Sequence, residues 1–276
     1  MFEAPNERVR LATWPTPLEP APRLAEAIGL AADRLWIKRD DLTGLGAGGN
    51  KIRKLEFTVA AALAERADTL VTTGAPQSNH ARLTAAAAAR TGLDAVLVMP
   101  GRPPGTAAGN LILDGLFGAR TVWASGRALD VVALEVAEQL REQGRRPAVI
   151  PFGGSSATGA HGYRLAAHEI SQQLPDFNVV VCAVGSGGTM AGLVAGLGAR
   201  RVFGVHCGAV DDPHAAVLRL LDELGSPDRD LRIRTDQVGV GYDALTPGAA
   251  DAMELAARRE GLVLDPIDTG RALAGL

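Results

Sequence analysis

Short runs of apolar, β-branched residues alternate along the chain with longer stretches whose apolar positions follow the helical period. The first kind predicts strands at 34–40, 69–74, 95–101, 120–124, 147–154, 178–188 and 201–207. The second predicts helices at 51–66, 80–91, 107–117, 128–143, 159–173, 189–198 and 247–260, the Ala-rich "LTAAAAAR" being strong helix former. The strands are apolar almost throughout, as in "NVVVCAV", rather than alternating in and out. That pattern implies parallel sheet covered by helices on both faces, and an α/β class. Ligands in such sheets bind where strands run into helix N-termini. Three strand–loop–helix junctions are rich in small or polar residues, at 41–51, 74–80 and 184–190, and they are expected to converge.

Composition narrows the picture mainly by exclusion. A chain of 276 residues makes one large or two modest domains. Its net charge of −3, with both signs mixed along the sequence, gives no reason to expect nucleic acid or an anionic membrane as partner. No run approaches the ~20 apolar residues of a membrane span, and "MFEAPNERVR" carries charges where a signal peptide needs an apolar core, so the cytoplasm is expected. Cys182 and Cys207 read as buried thiols of a reducing compartment. His161, His168, His206 and His214 show no ligand spacing, and no metal is expected. Lysine occurs only at Lys38, Lys51 and Lys54, around one glycine-rich loop, while every other basic side chain is arginine. Lysine can act as a base or form an imine, which arginine cannot.

That loop, "GLGAGGNKIRK" (44–54), contains G-x-G-x-x-G. A dinucleotide site also needs an acidic residue after the next strand, and Asp68 lies before it instead. The loop "AVGSGGTMAG" (183–192) is the better anion site. Its small residues Gly185, Ser186, Gly187 and Gly188, followed by Thr189, let backbone N–H groups close on an oxyanion at a helix start. No lysine follows it, so it suits one compact phosphate, or else is a tight turn with nothing bound. One phosphate and one imine-forming lysine on a separate junction suggest pyridoxal 5′-phosphate (PLP).

The segments "IKRDDLTGLGAGGNKIRKLEF", "TTGAPQSNHARLTAAAAAR", "GNLILDGLFGA", "IPFGGSSATGAHGYRLAAHEI", "VGSGGTMAGL" and "LDPIDTGRALAGL" resemble the D-cysteine desulfhydrase and 1-aminocyclopropane-1-carboxylate (ACC) deaminase family. The resemblance runs over almost the whole chain. It implies a fold-type II, tryptophan synthase β-like PLP enzyme with two α/β domains and mostly parallel sheets. The large domain would be 1–46 plus 152–276, with a small domain, 47–151, inserted and the cofactor in the cleft. By position Lys51 matches the lysine that joins the cofactor, with Asn50 as its helix N-cap. Lys54 matches a residue that assists at the phosphate, a solvated helix lysine being the alternative. Asn79 matches the amide that bonds the cofactor's 3′-oxygen. Ser78 matches a binder of the substrate carboxylate, and His80 is either a direct contact or a support. Gly185, Ser186, Gly187, Gly188 and Thr189 match the phosphate loop, and Tyr242 a tyrosine near the substrate. Thr269 matches the residue facing the pyridine nitrogen.

The family's chemistry is removal of the Cα proton by Lys51 and loss of a group from Cβ, which for cysteine yields pyruvate, ammonia and sulfide. A neutral hydroxyl at Thr269, where ACC deaminases carry glutamate, argues for this β-elimination over opening of a cyclopropane. Asp268 stands where the family carries a second tyrosine. That carboxylate suits a substrate with a cationic or donor side chain, or it points away. The chain stops at "GRALAGL", where the family continues with a further helix and strand. The resemblance implies a homodimer and a small amino-acid substrate. D-Cysteine or a β-substituted relative is the first expectation. ACC, a larger sulfur conjugate, cofactor binding without turnover and, most remotely, nicotinamide chemistry are the alternatives.

Overall fold

The computed structural model describes residues 8–276. In chain order it forms β1 (Leu18–Pro20), α1 (Pro22–Ala27), β2 (Trp36–Lys38), α2 (Lys51–Ala64), β3 (Thr69–Thr73) and α3 (Asn79–Thr91). There follow β4 (Asp94–Met99), α4 (Asn110–Leu116), β5 (Arg120–Trp123), α5 (Leu129–Glu142), β6 (Pro147–Ile150) and α6 (Ala157–Gln173). The chain finishes with β7 (Val180–Val184), α7 (Gly188–Leu197), β8 (Val202–His206), α8 (Pro213–Glu223), β9 (Arg232–Arg234), α9 (Pro247–Glu260) and α10 (Thr269–Ala274). It divides into two compact units: residues up to Trp14 with Asp40–Gly162, and Pro15–Arg39 with Tyr163–Leu276. The division falls within α6 and assigns 40–46 and 152–162 to the first unit. The reason is close packing: a Cβ at Gly46 would lie 2.6 Å from Ala86 Cβ, and one at Gly154 would touch Lys54 and His80.

The first unit is a four-stranded parallel sheet in the order β5-β4-β3-β6. Val71, Val96 and Val98 face α5 through Val132, Val136 and Leu140, while Leu70 and Leu97 face α2 and α3 through Leu55, Val59 and Leu83. Alternate residues of one strand thus feed two cores, as period-2 geometry requires of a sheet covered on both faces. The long run of alanines in α3 lets that helix lie close against its neighbours. Glu56, 1% exposed, accepts from the Leu11 amide at 2.9 Å and Trp14 Nε1 at 2.7 Å. Arg53 forks onto Asp40 at 2.7 and 2.8 Å with Trp14 stacked 4.2 Å away, so the loop that leads to α2 is fixed at both ends.

The second unit holds the parallel sheet β7-β8-β9 and an antiparallel pair, β1-β2. The segment 34–40 is therefore a strand, but not of a parallel sheet; it is too short and too polar to be a buried central strand. The core of this unit combines Cys182, Val184, Met190, Leu193, Val194, Val202, Val217, Leu220 and Leu221. Gly204 in β8 is obligatory: a Cβ there would lie 2.6 Å from Val184 Cγ2 and 2.7 Å from Met190 Sδ. Among the described residues no helix is long and apolar enough to cross a membrane.

Candidate active site

In the first unit two of the three sequence-marked junctions meet. Gly44, Gly46, Gly48 and Gly49 all have positive φ, and Gly48, at +73°, is the tightest. A Cβ there would fall 1.9 Å from the Asp41 carbonyl oxygen. Arg82 of α3 donates to the Gly48 carbonyl at 2.7 Å, tying the loop to the helix that starts at the second junction. The glycines thus fold the chain tightly ahead of α2 and leave Lys51 as the first residue of that helix. Asn50 occupies the cap position without a capping bond; its carbonyl oxygen Oδ1 accepts from Lys51 Nζ at 3.2 Å instead. This corrects the N-cap expectation: Asn50 already has helical dihedrals, which turn its side chain away from the backbone amides.

Lys54 is not a solvated lysine. It is 2% exposed and donates to the Gly153 carbonyl and to Ser155 Oγ, each at 3.1 Å. Its ammonium lies beside His80, which is also buried. His80 Nε2 pairs with Thr72 Oγ1 at 2.9 Å, and that hydroxyl donates to the Ile150 carbonyl at 2.8 Å. With the hydroxyl proton committed, Nε2 must carry the imidazole proton. Burial, reinforced by the charges of Lys51 and Lys54, lowers the His80 pKa to about 3. His80 is therefore a neutral group in the neighbourhood of two lysines.

Ser78 caps α3 and accepts from the Ala81 amide at 3.2 Å, in extended dihedrals. Gly74 allows this: a Cβ there would lie 2.7 Å from Ser78. Asn79 follows, and Asn110 of α4 donates to its Oδ1 at 3.2 Å. The same Asn110 amide donates to the Gln77 carbonyl at 2.7 Å, while its backbone N–H meets Gln77 Oε1 at 2.9 Å. Because a backbone carbonyl only accepts, the Asn110 atom is nitrogen, and the Asn79 atom facing it must be oxygen. Asn79 then presents its own NH₂ on the other side. Nothing local in the sequence marks Asn110 and Gln77, whose pairing spans 33 positions.

The second unit supplies the third junction. β7 ends at Val184, and Gly187 precedes α7 in the left-handed region at φ +89°. A Cβ on Gly187 would press on Val217 at 3.3 Å. One on Gly185 would meet only Asp268 Oδ1 at 3.6 Å and Ala209 at 3.8 Å. Gly187, Gly188 and Thr189 form the start of α7. A short glycine-rich turn between a parallel strand and a helix is the kind of helix start at which one phosphate can be received.

Asp268, beside Gly185, leads into Thr269 at the start of α10, and Tyr242 lies close enough to Asp268 to feel its charge. Burial, then the carboxylates of Asp268 and Asp265, pushes the Tyr242 phenol upward in pKa, so it keeps its proton at neutral pH. Arg271 is fully buried and donates to the carbonyls of Cys207, Gly241 (2.8 Å) and Ala244 (2.5 Å), pinning the Tyr242 loop. Thr269, a neutral hydroxyl by sequence, is tied to a carboxylate. It donates to Asp265 Oδ2 at 2.7 Å and accepts from the Asp265 amide at 2.8 Å. Burial raises the Asp265 pKa, but the amides of Asp268, Thr269 and Ile267 and the Thr269 hydroxyl outweigh it and hold this carboxyl below its usual range.

An α/β chain with a glycine turn opening one helix and a lysine at the head of another is built as cofactor enzymes are. The chain belongs to the family of pyridoxal-phosphate dependent enzymes, whose pattern matches residues 9–276. It is 41% identical to D-cysteine desulfhydrase of Salmonella schwarzengrund, over 98% of this chain and 87% of that one. It is also 41% identical to a Pyrococcus horikoshii protein provisionally named 1-aminocyclopropane-1-carboxylate deaminase, over 98% and 85%. Among solved structures it is similar to an ACC deaminase homologue, at TM-score 0.90 and 38% identity over 99% of this chain and 86% of that one. A threonine deaminase structure shares the fold at TM-score 0.67 and 23% identity, over 94% of this chain and 86% of that one. The fold is that of fold-type II PLP enzymes, and PLP is the cofactor of the family.

Proposed function

We propose that this protein is a PLP-dependent lyase that eliminates the β-substituent of D-cysteine or a closely related small amino acid, releasing pyruvate, ammonia and sulfide or a thiol. The observation that carries the reading is the near-full-length likeness to D-cysteine desulfhydrase, combined with the glycine-rich strand-to-helix turn at 185–189. Bound PLP would supply an electron-withdrawing ring that acidifies Cα of an amino acid attached to it. Gly185, Ser186, Gly187, Gly188 and Thr189 would hold its phosphate, with Lys54 adding positive charge. Asn79, its amide aimed by Asn110, would donate to the ring oxygen. Lys51 Nζ would carry the cofactor and then take the Cα proton. Ser78 and the first amides of α3 would hold the substrate carboxylate, with His80 behind them as a neutral support. Tyr242, which retains its proton, would donate to the substrate's departing group. Asp268, whose carboxylate borders Gly185, would face the substrate's side chain and favour one that can donate a hydrogen bond.

Cys182 and Cys207 are buried thiols rather than a disulfide, which suits a reducing cytoplasm, and a homodimer is the proposed assembly. A second reading is ACC deaminase. One observation favours it: Thr269 is backed by an ionised carboxylate, which removes the argument that a lone neutral hydroxyl cannot support ring opening. A panel of D- and L-β-substituted alanines alongside ACC separates the two. Pyruvate and sulfide from D-cysteine support the first, and ketobutyrate from ACC with no sulfide from D-cysteine overturns it.

A further inference from the structure

The hydroxyl of Thr269 has one proton and two lone pairs to offer. Two of these three are already used. Asp265 Oδ2 lies 2.7 Å away and is ionised, so the bond runs from hydroxyl to carboxylate and not the reverse. The backbone N–H of Asp265, 2.8 Å away, occupies one lone pair. Among the described residues the other acceptor in reach is the Asp265 carbonyl, which at 3.4 Å is much more distant and belongs to the same residue. What remains is a single lone pair on an exposed side chain. Thr269 can therefore receive a proton from a ligand but cannot give one without breaking its bond to Asp265.

The carboxylate is held firmly enough to enforce this. Its Oδ1 accepts from the amides of Ile267 at 3.0 Å and Asp268 at 2.6 Å, and its Oδ2 also accepts from the Thr269 amide at 3.0 Å. With the Thr269 hydroxyl, four donors converge on one carboxyl, and each favours the charged form. The other charged and titratable groups of the neighbourhood are Asp268, Asp243, Tyr242, Cys207 and Arg271. Arg271 gives its Nη donors to the backbone carbonyls of Cys207, Gly241 and Ala244, while its buried Nε has no partner among the described residues. The Tyr242 phenol and the Cys207 thiol stay neutral, burial being the first cause for both. Apart from Arg271 the charges are negative.

We propose that Asp265 is a positioning residue that converts Thr269 into a pure hydrogen-bond acceptor, so that the cofactor's pyridine nitrogen is bound in its protonated form. This rests on the PLP reading above and on the family resemblance by which Thr269 faces that nitrogen. An unprotonated nitrogen would set lone pair against lone pair there. A protonated ring withdraws electrons more strongly, so the Asp265–Thr269 pair does in two steps what a glutamate would do directly. It widens the substrates open to this site to those with poorer leaving groups than a thiolate.

The test is the ¹⁵N resonance of the ring nitrogen in protein loaded with ¹⁵N-labelled PLP, read against the protonated and unprotonated free cofactor. Wild type is expected at the protonated position at neutral pH. In Asp265→Asn the amide oxygen stays with the Ile267 and Asp268 amides and the NH₂ faces Thr269, which turns the hydroxyl outward, and the ring resonance is expected at the unprotonated position. Thr269→Val should move it likewise and Thr269→Ser should restore it, which decides the matter if Asp265→Asn does not fold. A wild-type resonance at the unprotonated position, or one that Thr269→Val leaves unmoved, overturns the proposal. Wild-type protein that takes up no PLP at all, as shown by the absence of a yellow lysine-bound band, overturns the cofactor reading itself, and the two failures are told apart by colour.

Discussion

His80 offers a prediction whose size follows from the structure. Its imidazole is 3% exposed, is bonded through Nε2 to Thr72, and lies beside the ammonium groups of Lys51 and Lys54. Burial first and those charges second lower its pKa from 6.5 to about 3. In the unfolded chain the same ring binds a proton below 6.5; in the folded protein it does not until about 3. Its contribution to stability is therefore intact above pH 6.5 and is lost as the pH falls toward 3. The slope in that window is about 1.4 kcal/mol per pH unit. Between about pH 7 and pH 5 the loss amounts to about 2 kcal/mol. His80→Gln keeps a donor for Thr72 and cannot titrate. Urea unfolding of both proteins, in half-unit steps across about pH 7 to 5, should give wild type the steeper decline by that amount, although the variant starts less stable. Equal slopes, or a His80 ring signal that titrates near 6.5 by NMR, would refute the reasoning.

Gly48→Ala should cost about 2–4 kcal/mol, from left-handed strain plus a carbonyl that must move, whereas Gly44→Ala, with open space around its Cβ, should cost only about 1; thermal unfolding compares them. Arg271→Ala leaves several buried carbonyls without a donor and should lose about 3 kcal/mol or more by urea unfolding. Asn110→Leu frees the Asn79 amide to turn and should weaken PLP uptake at a stability cost of only about 1–2 kcal/mol, read by cofactor titration alongside a melt.

Much of this architecture is legible from local pattern. All seven strands and seven helices expected from the sequence are present, most of them because they are long enough for their period to show and the three-residue β2 because it lies in a longer apolar run. The strands at 147–154 and 178–188 end earlier than their apolar runs suggest. Their terminal glycines leave the strand for turns with positive φ, which apolar patterning does not signal. β1, β9 and α1, three to six residues long, carry too little pattern to be read. The eleven-residue α8 is a different case: Asp212 caps it and Pro213 opens it, a start signature that is present in the sequence and adds a helix to those expected. For the site, the glycine loops are legible because glycine marks backbone need directly. The Asp265–Thr269 bond, the Asn110–Asn79 bond and the Arg271 anchor are not, since which donor meets which acceptor depends on loops folded in three dimensions. Thr269 shows the consequence: alone in the sequence it reads as a neutral hydroxyl, yet the carboxylate four residues upstream changes its role.

The central claim is that the cofactor is carried by Lys51. Borohydride reduction of the PLP-loaded protein, followed by peptide mapping by mass spectrometry, tests it most directly, because only three lysines exist to choose from. A phosphopyridoxyl mass on the peptide bearing Lys51, absent in Lys51→Ala, is the predicted result. The same mass on Lys38 or Lys54, or on no lysine, would contradict the account.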